Sequence, residues 1–589
     1  MSDTESVRIE KTGWRRLLRP ATLVLVVLAL WLVVVALVLL WARNDAGEGL
    51  AMVQEAQDRS SPGDLLEGRA TEPLAKARTS FQSSSRLLGS PVLAPLRLLP
   101  VLGRQLRSGE ALTQAAAEIS GIGVDVVAEA KQSLSKPHAT GPERIVLMRD
   151  LSRLSAGAEA RLGSVELGPG RALVGPLASK RRELEEKLTK ARTGLRDGGT
   201  AMDGLAGLLA GPRRYLVLAA NNSEMRSGSG MFLSAGELET VNGDLSLGEF
   251  RPTGELTVPP EVAPPIEDAD LAARWGSLIP NREWRNLGVT PRFPVSAALA
   301  SRMWTARGGK PVDGVLALDP LALQGVLRAT GPVTVDDKTV TAENVGDLLL
   351  HDQYAGIESV TDAQTARREQ LGDIAKSALE ALQERDWDLG GLASGLADAA
   401  RGRHLLAWSS RPQEQQAWSA AKVDGTLKAD SLVLSVLNRG GNKLDRFLEV
   451  EAKLRFERND ETDSATLEVL LQNTTPDGEP GYVAGPYPGS GVGPGDYVGL
   501  LSVNLPAKAD AVTVEGRETF AAAGPDGPTK VVAVPVTIKK GSAQSLVFRF
   551  RLPADRPALR VEPSARVPAT RWTTPGASFE SEAAREIEP

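Results

Sequence analysis

Cysteine is absent from all 589 residues. Disulfides and thiolate metal sites are therefore excluded, and buried apolar side chains must hold any exported part together. Histidine is nearly absent as well. His138, His351 and His404 are the only three. They stand far apart, in no metal-ligand spacing, and read as scattered surface or loop residues. Aromatic residues make up 4% of the chain, and the formal net charge is −6 with no basic domain. Nucleic-acid binding needs clustered Lys and Arg, so nucleic acid is not an expected partner. Sequences of the type G-x-x-x-x-G-K-[ST], H-E-x-x-H and G-x-S-x-G are also missing.

One long apolar run is present. Residues 21–42, ATLVLVVLALWLVVVALVLLWA, carry no charge. At 1.5 Å per residue the run covers the roughly 30 Å hydrocarbon core of a bilayer. Arg8, Lys11, Arg15, Arg16 and Arg19 precede it, whereas Arg43, Asp45 and Glu48 follow. The basic excess places the N-terminal side in the cytoplasm. A cleaved signal peptide has a shorter apolar core, about 7–15 residues, and ends at a small-residue site. The expectation is an uncleaved single-pass anchor of the cell membrane, with residues 1–20 as a cytoplasmic tail and the bulk extracytoplasmic.

The remainder divides by texture. Residues 45–210 read as several helices, with Leu184, Leu188, Ala191 and Leu195 at helical spacing. Residues 211–420 alternate strands and helices, which predicts an α/β core domain. Tyr215–Ala220 reads as a doubly buried strand ended by Asn221 and Asn222. Asn242-Gly243 reads as a hairpin turn. Asp319 with Pro320 reads as a helix start, and Gly331 as its stop. Residues 421–553 show apolar or alternating runs split by turn residues, such as LEVEAKLRFER and YVGLLSVNLP. They predict an all-β, sandwich-like domain. Residues 554–589 lack periodicity and read as a disordered tail.

The segment Asn221-Asn222-Ser223-Glu224-Met225-Arg226-Ser227-Gly228-Ser229-Gly230 follows the first strand directly. Ligands usually bind at the carboxyl ends of α/β strands. Asn side chains offer donors and acceptors, glycines permit close backbone approach, and Arg226 is a planar cation suited to phosphate. The plainer alternative is a turn whose Asn and Glu cap backbone groups. Farther on, Arg367 and Arg368 sit early in a predicted helix over 362–385. There the plainer alternative is a solvated helix face.

The stretch RRYLVLAANNSEMRSGSGMF resembles the hallmark of a bacterial family catalogued as domain of unknown function 4012. PLRLLPVLGRQL at 95–106, NLGVTPRFPVSAALASRMW at 286–304 and VDGVLALDPLALQGVLRATGPVTV resemble it too, so the likeness covers roughly residues 90–550. Arg292 departs from the family pattern, which often has an acidic residue between the prolines. More distantly, the order of elements is similar to the LytR–CpsA–Psr phosphotransferases, single-pass extracytoplasmic enzymes that transfer glycopolymers from polyprenyl-phosphate carriers. Arg226-Ser227-Gly228-Ser229 stands where those enzymes have Arg-Ser-Asp-Thr, with Gly228 in place of the acid. Asp362, Arg367, Arg368 and Gln370 follow in similar order.

This resemblance implies a LytR–CpsA–Psr-like α/β core between the helical region and the β domain. It implies phosphate contacts from Arg226, Arg367 and Arg368, with Asn221, Asn222 and Glu224 shaping the loop. No metal ligand is assigned and the cofactor is unknown. A divalent metal such as Mg2+ is implied only under the phosphotransferase-like reading. The expected function is binding of phosphorylated glycan or polyprenyl-phosphate carrier in polysaccharide assembly or attachment, with membrane and lipid-linked glycan as partners. The alternative is a non-catalytic scaffold for other envelope proteins.

Overall fold

The computed structural model describes residues 14–588, except 60–63, 65–66, 136–139, 358–359, 385–387, 459–461, 487–489 and 554–557. Side chains are described from Val27 onward, but not over 360–371 or at 389, 458 and 462–463. His138 lies outside the described residues.

Helix α1, Trp14–Asp58, contains the apolar run. Its outward side chains find no protein partner: Val27, Leu30, Val33 and Leu40 are each about 60% exposed. The helix is long and apolar enough to cross a membrane. The chain forms two compact units, Met1–Ser133 with Arg153–Arg196, and Leu134–Ser152 with Asp197–Pro589. The first is helical, built on α1, α2 (Thr71–Leu88), α3 (Pro100–Leu134) and parts of α4 (Gly141–Gly163) and α5 (Gly175–Ala210). Leu184, Leu188 and Leu195 do pack together, against Ala115, Ile122, Leu162 and Val165.

The second unit begins with a mixed sheet. Its strands are β1 (Arg213–Met225), β2 (Gly230–Val241), β3 (Asp244–Leu247), β4 (Arg251–Pro252), β5 (Gly314–Leu318) and, later in the chain, Leu405–Ser409. The order is β3-β2-β1-β5 and then Leu405–Ser409, with β4 on β2. β1 pairs antiparallel with β2 and parallel with β5. Because side chains alternate along a strand, β1 feeds two cores. Leu216 and Leu218 pack with Ala297, Ala300 and Met303 of α6 (Phe293–Ala306). Val217 and Ala219 pack with Leu323 and Leu327 of α7 (Pro320–Thr330), Leu349 of α8 (Val345–Leu350) and Ile374 of α9 (Val360–Glu384). Burial on both faces explains the unbroken apolar run.

Leu405–Ser409, in the mixed sheet, is β8, and the remaining strands are β6 (Val333–Val335), β7 (Lys338–Val340), β9 (Ser431–Asn438), β10 (Leu448–Arg458), β11 (Thr462–Asn473), β12 (Tyr497–Pro506), β13 (Asp510–Val514), β14 (Ala522–Asp526), β15 (Thr529–Ile538), β16 (Ala543–Pro553), β17 (Leu559–Glu562), β18 (Arg571–Thr574), β19 (Ala577–Glu580) and β20 (Arg585–Ile587). β6 and β7 form a hairpin, and the rest of the C-terminal region makes two sheets, β13-β16-β11-β10-β18-β19 and β14-β15-β12-β9-β17-β20. They share a core that includes Leu434, Val436, Leu467, Val503, Phe548 and Trp572.

The last segment corrects an expectation. Residues 554–589 were expected to lack structure, yet β17 pairs with β9 and β18 with β10, both in parallel. Trp572 is 1% exposed. Short strands joining sheets from a distance leave no local periodicity to read.

Candidate functional site

The segment expected to be a loop continues β1 as far as Met225, with register shifts between Ala219 and Ala220 and between Asn221 and Met225. Bulges of this kind re-aim side chains near the end of a strand. The polar residues here are buried, so each needs a partner. Asn221 Nδ2 donates to the Tyr354 hydroxyl at 2.8 Å. Asn222 Nδ2 donates to Asp319 Oδ2 and to the Ala565 carbonyl, both at 2.7 Å. Asp319 also caps α7 and meets His404 Nδ1 at 2.6 Å. His404 is thus a largely buried partner of a helix cap rather than a scattered surface residue. Glu224 pairs with Lys443.

Arg226 departs from its expected role. Its Nε donates to the Arg285 carbonyl at 2.7 Å, and its Nη1 to the carbonyls of Met225 at 2.9 Å and Asn438 at 2.8 Å. It is 5% exposed. The guanidinium therefore ties backbone segments together. Arg367 and Arg368 belong to α9 by backbone, but their side chains, like those of Asp362 and Gln370, lie outside the described residues. Gly228 occupies the position of the missing acid for a steric reason. A Cβ there would stand 2.8 Å from Pro291 Cα, so no carboxylate has room.

The partner of this motif is a second one, Asn438-Arg-Gly-Gly-Asn-Lys-Leu-Asp445, at the end of β9. Asp445 Oδ2 accepts from the Met225 N–H at 3.0 Å and from Asn438 Nδ2 at 2.9 Å. Its Oδ1 accepts from the Tyr497 hydroxyl at 2.9 Å and from Arg566 at 3.1 Å. Burial pushes the Asp445 carboxyl up, and the Arg566 guanidinium opposes that shift. Ser435 Oγ donates to the Ser227 carbonyl at 2.5 Å. Two polar strand ends thus face each other and satisfy each other. Sequence reasoning missed the second, although it also is an Asn-Gly-rich step after an apolar strand.

Beside this junction lies a cleft of about 360 Å³ at the carboxyl ends of β1 and β5. Asn221, Glu224, Arg285, Tyr354, Lys443 and Tyr482 are among its walls. The Lys443 ammonium lies 4.8 Å from the Tyr354 ring centre and 5.0 Å from that of Tyr482. Burial lowers the Lys443 ammonium to about 7, while the Glu224 carboxylate favours its charged form. A second groove of about 290 Å³ shares Arg285 and Gly441 with the cleft and adds Arg226, Glu283 and Arg439. Arg285 and Arg226 help hold the Glu283 carboxylate below its ordinary value, against the burial that would raise it.

The divalent metal implied by the phosphotransferase resemblance does not fit these residues. Glu224 is committed to Lys443, and among the described residues no group of three His, Asp or Glu side chains is arranged to hold a metal ion. The arrangement can bind through amides, aromatic rings and opposite charges.

Residues 210–354 match the family model for a protein of unknown function, DUF4012. That supports the DUF4012 family. The matched span runs from the start of β1 to Tyr354, so Lys443 and Tyr482 of the cleft lie beyond it. No curated protein matches the chain, and no solved structure matches it.

Proposed function

We propose that this DUF4012 protein is a single-pass, membrane-anchored protein of the bacterial cell envelope, with a cytoplasmic N-terminus and an extracytoplasmic bulk that binds a phosphorylated glycan or polyprenyl-phosphate-linked glycan. The observation that carries the proposal is the cleft at the ends of β1 and β5. Two tyrosines, an amide and a Glu–Lys pair converge there. Tyr482, half-buried at the cleft wall, gives an apolar face for a sugar ring, and the polar groups bond hydroxyls. The neighbouring groove, with Arg285 and Arg439 beside Glu283, is suited to phosphate. The basic flank of residues 21–42 supports the sidedness.

The test is native mass spectrometry of the full chain in lipid nanodiscs with polyprenyl-pyrophosphate-linked sugar, with and without Mg2+. Wild type is expected to bind. Tyr482→Ala is expected to weaken binding at least about tenfold by removing sugar contact, a loss of roughly 1.4 kcal/mol. Arg439→Ala is expected to weaken the lipid-linked ligand but not the free sugar. Absence of binding to wild type would sink the reading.

A second reading, a non-catalytic scaffold, is favoured by the commitments of the motif. Arg226, Asn222 and the Met225 N–H all hold the mixed sheet to the C-terminal strands.

A further inference from the structure

The turn between α2 and α3 presents a bare apolar tip. Leu98, Leu99, Val101 and Leu102 are 85%, 47%, 67% and 47% exposed. Pro91, Ala94, Pro95 and Pro100 around them are exposed as well. The one charged side chain within this stretch, Arg97, turns inward. It pairs with Glu110 at 2.7 Å and donates to the Leu88 carbonyl at 2.6 Å. In water such a patch carries a free-energy penalty, so its presence asks for a partner.

The position of the tip says which partner. α2 runs back along α1. Ser84 Oγ donates to the Ala42 carbonyl at 2.7 Å, at the outer end of the apolar run. Farther down, Trp31 Nε1 donates to the Val92 carbonyl at 3.0 Å, and Leu93 and Leu106 pack with Val35 and Val38. From Ala42 to Trp31 is about 16 Å of helix, roughly half of a 30 Å hydrocarbon core.

The backbone is wired for that depth. Irregular chain survives within hydrocarbon only where its polar groups are satisfied inside the protein. Pro91, Pro95 and Pro100 have no N–H to satisfy. The N–H groups of Gly89, Ser90, Leu93, Leu98, Leu99 and Gly103 all donate to nearby carbonyls. The carbonyls of Leu88, Val92 and Arg97 accept from Arg97, Trp31 and Arg107 side chains.

We infer that residues 91–102 form a re-entrant hairpin that enters the outer leaflet beside α1, with lipid acyl chains as its partner. This inference rests on reading α1 as a membrane span. α3 then climbs back out. Its first turns carry exposed Arg104, whose long stem lets its charge reach headgroup phosphates. The remainder of α3 bears Glu110, Glu118, Asp125 and Glu129, so only its start is immersed. The hairpin gives the helical unit a second attachment to the bilayer.

The absence of cysteine makes the test direct. Single cysteines replace Leu98, Val101, Val34 in α1 and Arg182 in α5, each in the full chain in nanodiscs, and carry a polarity-sensitive fluorophore. Leu98→Cys and Val101→Cys are two independent probes of the tip. Val34, Leu98 and Val101 positions are expected to be quenched several-fold more by acyl-chain nitroxide lipids than Arg182, and to be shielded from iodide. Quenching of Val34 by lipid but of both tip positions by iodide alone overturns the hairpin and leaves the span standing. Iodide access at Val34 overturns the span, and the hairpin with it.

Discussion

The Lys443 ammonium meets the Glu224 carboxylate although 219 residues separate them in the chain. Lys443 is 2% exposed, and burial lowers its value from 10.5 to about 7. Between those values the unfolded chain holds a proton that the folded chain lacks. Stability contributed through this group therefore rises as pH rises from about 7 toward 10.5, and is lowest below 7. Glu224→Gln with Lys443→Met is expected to flatten that rise. Urea unfolding of both proteins at pH 6.5 and 9.5 measures it, and equal slopes would refute the assignment.

The Asp445 carboxylate ties together four groups of the junction. Asp445→Ala leaves Arg566, 1% exposed in its side chain, without its carboxylate. It also strips an acceptor from the Met225 N–H and the Tyr497 hydroxyl. Loss of one partner of a buried ion pair costs about 3–5 kcal/mol. Denaturant unfolding should show a loss of that order. A change under about 1 kcal/mol would mean that the network is not held by its charge.

Local features were legible wherever they depended on neighbours in sequence. The doubly buried start of β1 follows from its apolar run. Asn242 and Gly243 both take positive φ, at 53° and 86°, in the turn between β2 and β3. Asp319 caps α7, and Gly331 ends it at φ 79°. The polar end of β1 was not legible as strand. Asn and Ser normally signal turns, and here they are paid for by Tyr354, Asp319 and Asp445, which local pattern cannot place. For the same reason Arg226 read as a free cation, and the terminal strands read as a tail. The cleft was half visible, since Asn221 and Glu224 stand out in sequence but Lys443 and Tyr482 do not.

Arg292 lies between two acids contributed by distant segments. It pairs with Asp268 and with Asp526, each at 2.7 Å, and Asp526 is fully buried. Arg292→Gln should cost about 3–5 kcal/mol, because Asp526 keeps its burial and loses its cation. The hydrogen bonds from Arg292 hold the Asp268 carboxyl below its ordinary 3.8. A lowered carboxyl contributes stability that is present above its unfolded value and lost as pH falls through its folded one. Wild type should therefore lose stability below about pH 4, with a shallower decline in the variant. Unfolding curves at pH 3, 4 and 6 separate the two.

Gly230 faces the backbone of Asn221 at the bulge that aims the cleft residues. A Cβ at Gly230 would stand 2.4 Å from the carbonyl carbon and oxygen of Asn221, so backbone must move to admit even alanine. Gly230→Ala is expected to cost about 1–3 kcal/mol as overpacking. The displacement falls where Asn221 meets Tyr354 and where Glu224 leaves the strand toward Lys443, so ligand binding should weaken with stability. Gly254 lines the same cleft, but a Cβ there meets nothing within 4 Å. Gly254→Ala should leave both properties nearly unchanged. Melting temperatures of the two variants in detergent, with titration of the lipid-linked sugar, check the contrast. A Gly230→Ala protein as stable and as tightly binding as the Gly254→Ala control would show that the bulge does not set the cleft.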